Sequence, residues 1–259
     1  MTDNEREIDM TTLGDYDTIE MLYSKLRTDD PFYYLRYGDG DLLIMSDPEY
    51  NRESYHTQSP RFRYELLASY LIRDDNYLIG SVEGTQTFHY NDKLDRISKE
   101  IAGDSPSYLS AMALHRAYYD LESPWNFLDF CSLFQSKKVL FIGGESVCTP
   151  VTRACFNADR FIVFPDQDAY YHLEDKIGEI KAALDEYTTV VAGIGLATRV
   201  LGARLWSAGF RHIQYFDVGS PIDAIVGKRT RKWIKACKPV TKMYQKEIEN
   251  GRFGPVTGV

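Results

Sequence analysis

Val139-Leu140-Phe141-Ile142-Gly143-Gly144-Glu145-Ser146 is a short apolar run that stops on two glycines. A run of this length bounded by turn residues fits a strand buried on both faces. Outward from it, three more apolar runs follow, Phe161–Phe164, Thr189–Ala192 and His212–Phe216, with helical stretches between them. Leu173, Ile177, Ile180 and Leu184 give one stretch a packing stripe at helical spacing, and Val200, Leu201 and Leu205 give another. Strands alternating with such helices build βαβ units and a parallel sheet. The fold class is therefore α/β, a Rossmann-like, mostly parallel sheet with flanking helices.

Toward the N-terminus, Asp17 is placed to cap a helix whose apolar residues Ile19, Leu22, Tyr23 and Leu26 fall on one face. Phe32–Arg36 reads as a buried strand ending in the tight turn Gly38-Asp39-Gly40-Asp41. Pro60 opens a helix running to Ile72, Tyr77–Ser81 is the next strand, and Asn91–Phe134 is mostly helical with breaks at Pro106 and Pro124. This pattern predicts one domain over residues 1–227. Its half bearing Asp-Gly-Asp covers about 15–134 and its Rossmann-like half about 137–227, with a helical insertion and a basic C-terminal segment and tail over 228–259.

A chain of 259 residues with 44% hydrophobic and 26% charged residues can bury a core, which excludes disordered and fibrous classes. Apolar stretches such as Thr188–Ala197 fall short of the roughly 20 residues a membrane helix requires. Met1–Asp30 is acidic and does not read as a secretory signal, so the expected location is cytoplasmic. Cys131, Cys148, Cys155 and Cys237 form no C-x-x-C pair and read as reduced core thiols. The net charge of −8 is uneven: Lys228–Lys246 carries eight Lys/Arg and no acid, which leaves the remainder at −16. An anionic partner is expected to meet this segment, which should govern affinity more than folding.

Parallel sheets bind ligands outside the carboxyl ends of their strands. The residues that follow each predicted strand are Gly143-Gly144-Glu145, then Pro165-Asp166-Gln167-Asp168-Ala169-Tyr170, then Gly195. They outline a nucleotide-sized crevice. The sharper feature is Arg36-Tyr37-Gly38-Asp39-Gly40-Asp41. Two carboxylates one glycine apart can face a hard cation such as Mg²⁺ or Mn²⁺. The alternative is that Asp39 caps the following helix and Asp41 is solvated. Arg36 beside the pair either neutralises it or binds a phosphate oxygen. Asp217, at a strand end, is either a general base or a cap or salt-bridge partner. His56, His89, His115, His172 and His212 lack paired ligand spacing and read as structural, and neither Ser146 nor Ser220 sits in a G-x-S-x-G elbow.

Tyr34–Met45, with Arg36-Tyr37-Gly38-Asp39-Gly40-Asp41 at its centre, resembles the Arg-Phe-Gly-Asp-Gly-Glu signature of the GT-D-type glycosyltransferases. The likeness continues through Lys138–Gly144, Pro165–Ile177 and Val190–Gly219, about three quarters of the chain. It implies a metal-dependent transferase in which Asp39 and Asp41 hold Mn²⁺ or Mg²⁺ against the diphosphate of a nucleotide-sugar donor, with a UDP-sugar as the expected donor. Asp41 stands where the family has Glu, and its shorter side chain favours a water-mediated contact. Ser220 stands where the family often has His. Under this reading Arg36 and one or more of Lys228, Arg229 and Arg231 assist at the phosphates, and Tyr170 stacks on the base. Acceptor loops are expected in Ser81–Tyr90 and Ser105–Trp125, and the acceptor is a glycan or a modified nucleic-acid base.

Two rivals start from other features. An S-adenosylmethionine-dependent methyltransferase would use Gly143-Gly144-Glu145 and Asp166 but gives Asp39 and Asp41 no task. A nucleic-acid-binding accessory protein would use Lys228–Lys246 with Trp233 and Tyr244 as a basic, aromatic-bearing surface.

Overall fold

Among the described residues seven strands form one sheet: β1 (Phe32–Arg36), β2 (Tyr77–Ser81), β3 (Leu109–Ser110), β4 (Val139–Gly144), β5 (Ala158–Phe164), β6 (Thr189–Gly193) and β7 (Gln214–Asp217). All run parallel, in the spatial order β3-β2-β1-β7-β6-β4-β5. This computed structural model describes residues 13–47, 59–82, 96–97, 100–101, 109–121 and 125–254. His56, His89, residues 1–12 and 255–259, most of the first expected acceptor loop (83–90) and parts of the second (105–108 and 122–124) lie outside the described residues.

The strands form because their side chains are apolar on both faces. In β1, Tyr33 and Leu35 join one core and Phe32 and Tyr34 the other. β4 repeats this with Leu140 and Ile142 against Val139 and Phe141. Such double burial suits a central parallel strand covered by helices on both sides. Across β1 and β7, Tyr33 stacks on Tyr215 with ring centroids 5.2 Å apart, and Tyr34 tilts against Phe216 at 5.5 Å. The two halves read from the sequence thus share one sheet, joined through β1 and β7.

The sheet order places two topological switch points along the carboxyl edge. β1 connects outward to β2 while its other neighbour, β7, arrives from β6. β4 connects outward to β5 while its other neighbour, β6, leads to β7. At each, connections leave in opposite directions and open a crevice.

Several expectations shift. Gly38-Asp39-Gly40-Asp41 is the first turn of a helix, Asp39–Ser46, with Gly38 at its N-cap. The first helix is Asp15–Arg27, capped by Gly14 instead of Asp17. Leu109–Ser110 is a strand within the stretch expected to be helical. The basic segment also contributes to the core. Its helix Lys238–Glu249 buries Thr241, Tyr244 and Ile248, while Lys238, Lys242 and Lys246 are exposed. Tyr244 meets Tyr118 edge-on at 5.2 Å. No helix among the described residues is long and apolar enough to cross a membrane, and all four cysteines are unbridged.

Candidate active site

A cleft of about 540 Å³ opens at the β1/β7 switch point and reaches the end of β6. Gly38, Asp39 and Asp41 line it from the turn after β1, Gly193, Gly195 and Arg199 from β6 and its helix, and Gly219 and Ser220 from the turn after β7. His115 lines it from beyond β3, and the C-terminal segment covers one side with Thr230, Arg231, Lys232 and Trp233.

The Asp-Gly-Asp pair divides its labour. Asp39 is half-exposed in the first helical turn. Asp41 is buried, and its Oδ2 accepts the Gly38 N–H at 2.8 Å, closing the helix N-terminus. Its Oδ1 lies 3.3 Å from Arg199 Nε and has no hydrogen bond. Burial, reinforced by Asp217 and Asp39 and opposed by Arg199 and the Gly38 N–H, lifts the Asp41 carboxyl to about 6.

Asp217 has no exposed surface. Its Oδ2 accepts the Arg36 backbone N–H at 3.1 Å and lies 3.5 Å from Arg199 Nε, while its Oδ1 is also without a hydrogen bond. Arg199 therefore bridges two buried acids. Its Nε donates to Arg36 O at 2.5 Å and its Nη1 to Gly195 O at 2.6 Å.

Arg36, expected at a phosphate or beside the Asp pair, does line the cleft, but its guanidinium is held by the chain's own acceptors. Nε donates to Ala111 O at 2.8 Å, Nη1 to Val218 O at 2.9 Å, and Nη2 to His115 Nδ1 at 2.9 Å. Gly219 is required where this guanidinium passes. Its φ is +56°, and a Cβ there would collide with Arg36 Nη1.

The other expected residues stand on the same sheet edge, but the structure brings only some to the cleft. Gly195, with φ +64°, lines it. Gly143 faces Phe141, Val147 and Cys148, and Gly144 faces Asp166, so the chain's own side chains fill the space expected for a ligand. Glu145 is exposed and its N–H donates to Phe164 O at 2.9 Å. Asp166 accepts from Ser146 N at 3.1 Å and Ser146 Oγ at 2.5 Å, and its other oxygen pairs with Lys228 at 3.2 Å. These bonds hold it below the usual carboxylate range against burial. Both oxygens that a methyltransferase would turn to a ribose are thus occupied. Pro165 is half-buried beside it, and Asp168 adopts φ +56° before a short 3-10 turn. Tyr170, expected to stack on a base, is buried against Phe62 with centroids 4.8 Å apart. Arg231 lines the cleft, and Arg229 is exposed outside it.

Sequence reasoning missed Arg199 and gave His115 only a structural role. Arg199 had a faint signal, lying one helical turn after the strand-end Gly195. His115 had none, since Arg36 and Ser220 approach it from remote positions.

Among the described residues no three His, Cys, Asp or Glu side chains gather to enclose a metal. The donor set nevertheless fits a hard divalent ion that keeps water and phosphate oxygens. Asp39 and Asp41 both line the cleft, and Asp41 keeps one buried oxygen, Oδ1, that accepts no hydrogen bond.

No protein-family model and no curated protein matches the chain. Two solved structures of the domain of unknown function 1792 do, one of them described as having a distinct glycosyltransferase fold. Each aligns with a TM-score of 0.62 over 83% of this chain and 79% of its own, at 20% and 19% identity, the second being a selenomethionine-substituted form. The chain is thus a single α/β domain of Rossmann-like type. Its fold is that distinct glycosyltransferase fold, GT-D-like in architecture.

Proposed function

We propose that the cleft binds a nucleotide-sugar, a UDP-sugar by the family resemblance, and transfers its sugar to an acceptor. The observation that carries this reading is the meeting of Asp39 and Asp41 with Arg199, Arg231 and Lys232 at one switch point. The fold shared with the glycosyltransferase-fold structures supports it. Asp39 and Asp41 would hold Mn²⁺ or Mg²⁺, which when bound offsets charge on the departing diphosphate. Arg199, held by Gly195 O and the two buried acids, supplies a fixed cation at the cleft floor. Arg231 and Lys232 add positive charge to its lining. Asp217 lacks exposed surface, so it positions Arg199 instead of taking a proton from an acceptor. Arg229, Lys232 and Lys235 are exposed and favour an anionic acceptor, either a charged glycan or a nucleic acid bearing a modified base.

The test is a panel of sugar nucleotides with Mn²⁺ or Mg²⁺, followed for release of free nucleotide. One donor class should turn over with the parent. Asp39→Asn and Asp41→Asn should each lower that turnover on the order of a hundredfold while the fold persists. Undiminished, metal-independent turnover in both variants would overturn the reading.

A further inference from the structure

The turn after β7 carries a hydroxyl whose hydrogen-bonding direction is set from below. A guanidinium only donates, so Arg36 Nη2, 2.9 Å from His115 Nδ1, makes that nitrogen the acceptor. His115 is buried, and burial together with Arg36 and Arg231 holds its pKa well below the usual value, so the ring is neutral. Its one proton therefore sits on Nε2, which lies 2.9 Å from Ser220 Oγ and donates to it. Trp233 meets the His115 ring edge-on at 4.7 Å and keeps it in place.

Ser220 thus accepts from below and has its own proton to give. It does not cap the helix Pro221–Ile225, and that proton meets no acceptor among the described residues. Ser220 lines the cleft with Asp39, Arg199, Arg231 and Lys232. A ligand atom that meets it must be an acceptor, and the surrounding cations favour one that carries negative charge.

The geometry points to Ser220 as a direct ligand-binding residue whose hydroxyl donates to a non-bridging phosphate oxygen of the bound diphosphate, with His115 and Arg36 as the positioning residues that fix its direction. The inference rests on the nucleotide-sugar reading and adds a contact made by the chain itself.

Titration of the full chain with inorganic pyrophosphate, with and without Mn²⁺, tests it without requiring the donor's identity. Ser220→Ala should weaken pyrophosphate binding about tenfold to a hundredfold, the range for a hydrogen bond to a charged group. Ser220→Thr keeps the hydroxyl and should restore most of that loss. His115→Gln, whose amide can both accept and donate, should bind better than His115→Phe at equal melting temperature. The Ser220 contribution should be flat from pH 6 to pH 8, because His115 stays neutral. Equal affinity of the parent and Ser220→Ala, or equal weakness of Ser220→Ala and Ser220→Thr, would overturn the inference and leave the glycosyltransferase reading standing. A parent protein that turns over no nucleotide-sugar and binds no pyrophosphate would overturn both.

Discussion

Asp41 shows how one side chain takes its character from its surroundings. In water the Asp-Gly-Asp pair would be two ordinary carboxylates, yet here the second caps its own helix and lines the cleft with one oxygen that accepts no hydrogen bond. An Asp carboxyl in an unfolded chain titrates near 4, whereas burial holds this one to about 6. Over the interval between them the folded chain keeps a proton that the unfolded chain has lost. The stabilisation from that proton is complete below the unfolded value and is lost as pH rises through the folded one. Across that interval the parent should lose on the order of 2–3 kcal/mol relative to Asp41→Asn, which has no carboxyl to titrate. Urea unfolding of both proteins at several pH values from 4 to 7 checks this, with parallel stability curves as the contrary result.

The C-terminal helix Lys238–Glu249 is the element whose role differs most from its composition. Its charge pattern reads as a solvated surface, but every third or fourth residue, Thr241, Tyr244 and Ile248, is buried. Tyr244 packs among Tyr118 and Phe127. Tyr244→Ala should therefore cost about 3–5 kcal/mol, the range for losing a buried aromatic ring. Changing exposed Lys238, Lys242 and Lys246 to Gln together should shift stability by less than about 1 kcal/mol, and any effect on acceptor affinity should weaken with salt. Denaturant melts separate the two faces, and a large stability loss in the lysine variant would contradict this division. The strand β3 makes the same point in reverse. Two residues, Leu109 and Ser110, are too few to show a period, and they become a strand only because β2 offers them an edge.

At the scale of the molecule the decisive contact is β1 against β7, which pairs residues 182 apart in the chain, as Phe32 with Gln214. Without β1, Tyr215 and Phe216 lose Tyr33 and Tyr34, and Asp217 loses the Arg36 N–H. Residues 137–259 expressed alone should not fold, despite holding four of the seven strands. The full chain should unfold in one transition, with circular dichroism and the fluorescence of Trp206 and Trp233, on opposite sides of the sheet, giving the same midpoint. A stable, cooperatively melting 137–259 fragment would show that the halves are separate domains.

Much of this was legible along the chain. Six strands were readable because parallel strands buried on both faces need unbroken apolar runs, and because glycines and acids mark where each run must turn. The Asp-Gly-Asp turn was readable because its chemistry is contiguous. The order of the strands was not, since the same βαβ units can be laid down in several orders without changing any local preference. That order decided which strand ends share a cleft. It brought Asp39, Gly195 and Arg231 together, while Gly143 and Gly144 were closed off by Phe141 and Asp166 and Tyr170 was turned into the core. It also made Arg199 the partner of Asp41 and Asp217, and Ser220 the end of a hydrogen-bond chain from Arg36. Local sequence sets what each segment can become, through periodicity and turn chemistry. The tertiary arrangement sets which charges meet, because buried ion pairs and shared hydrogen bonds depend on distances between segments that have no fixed separation until the sheet is assembled.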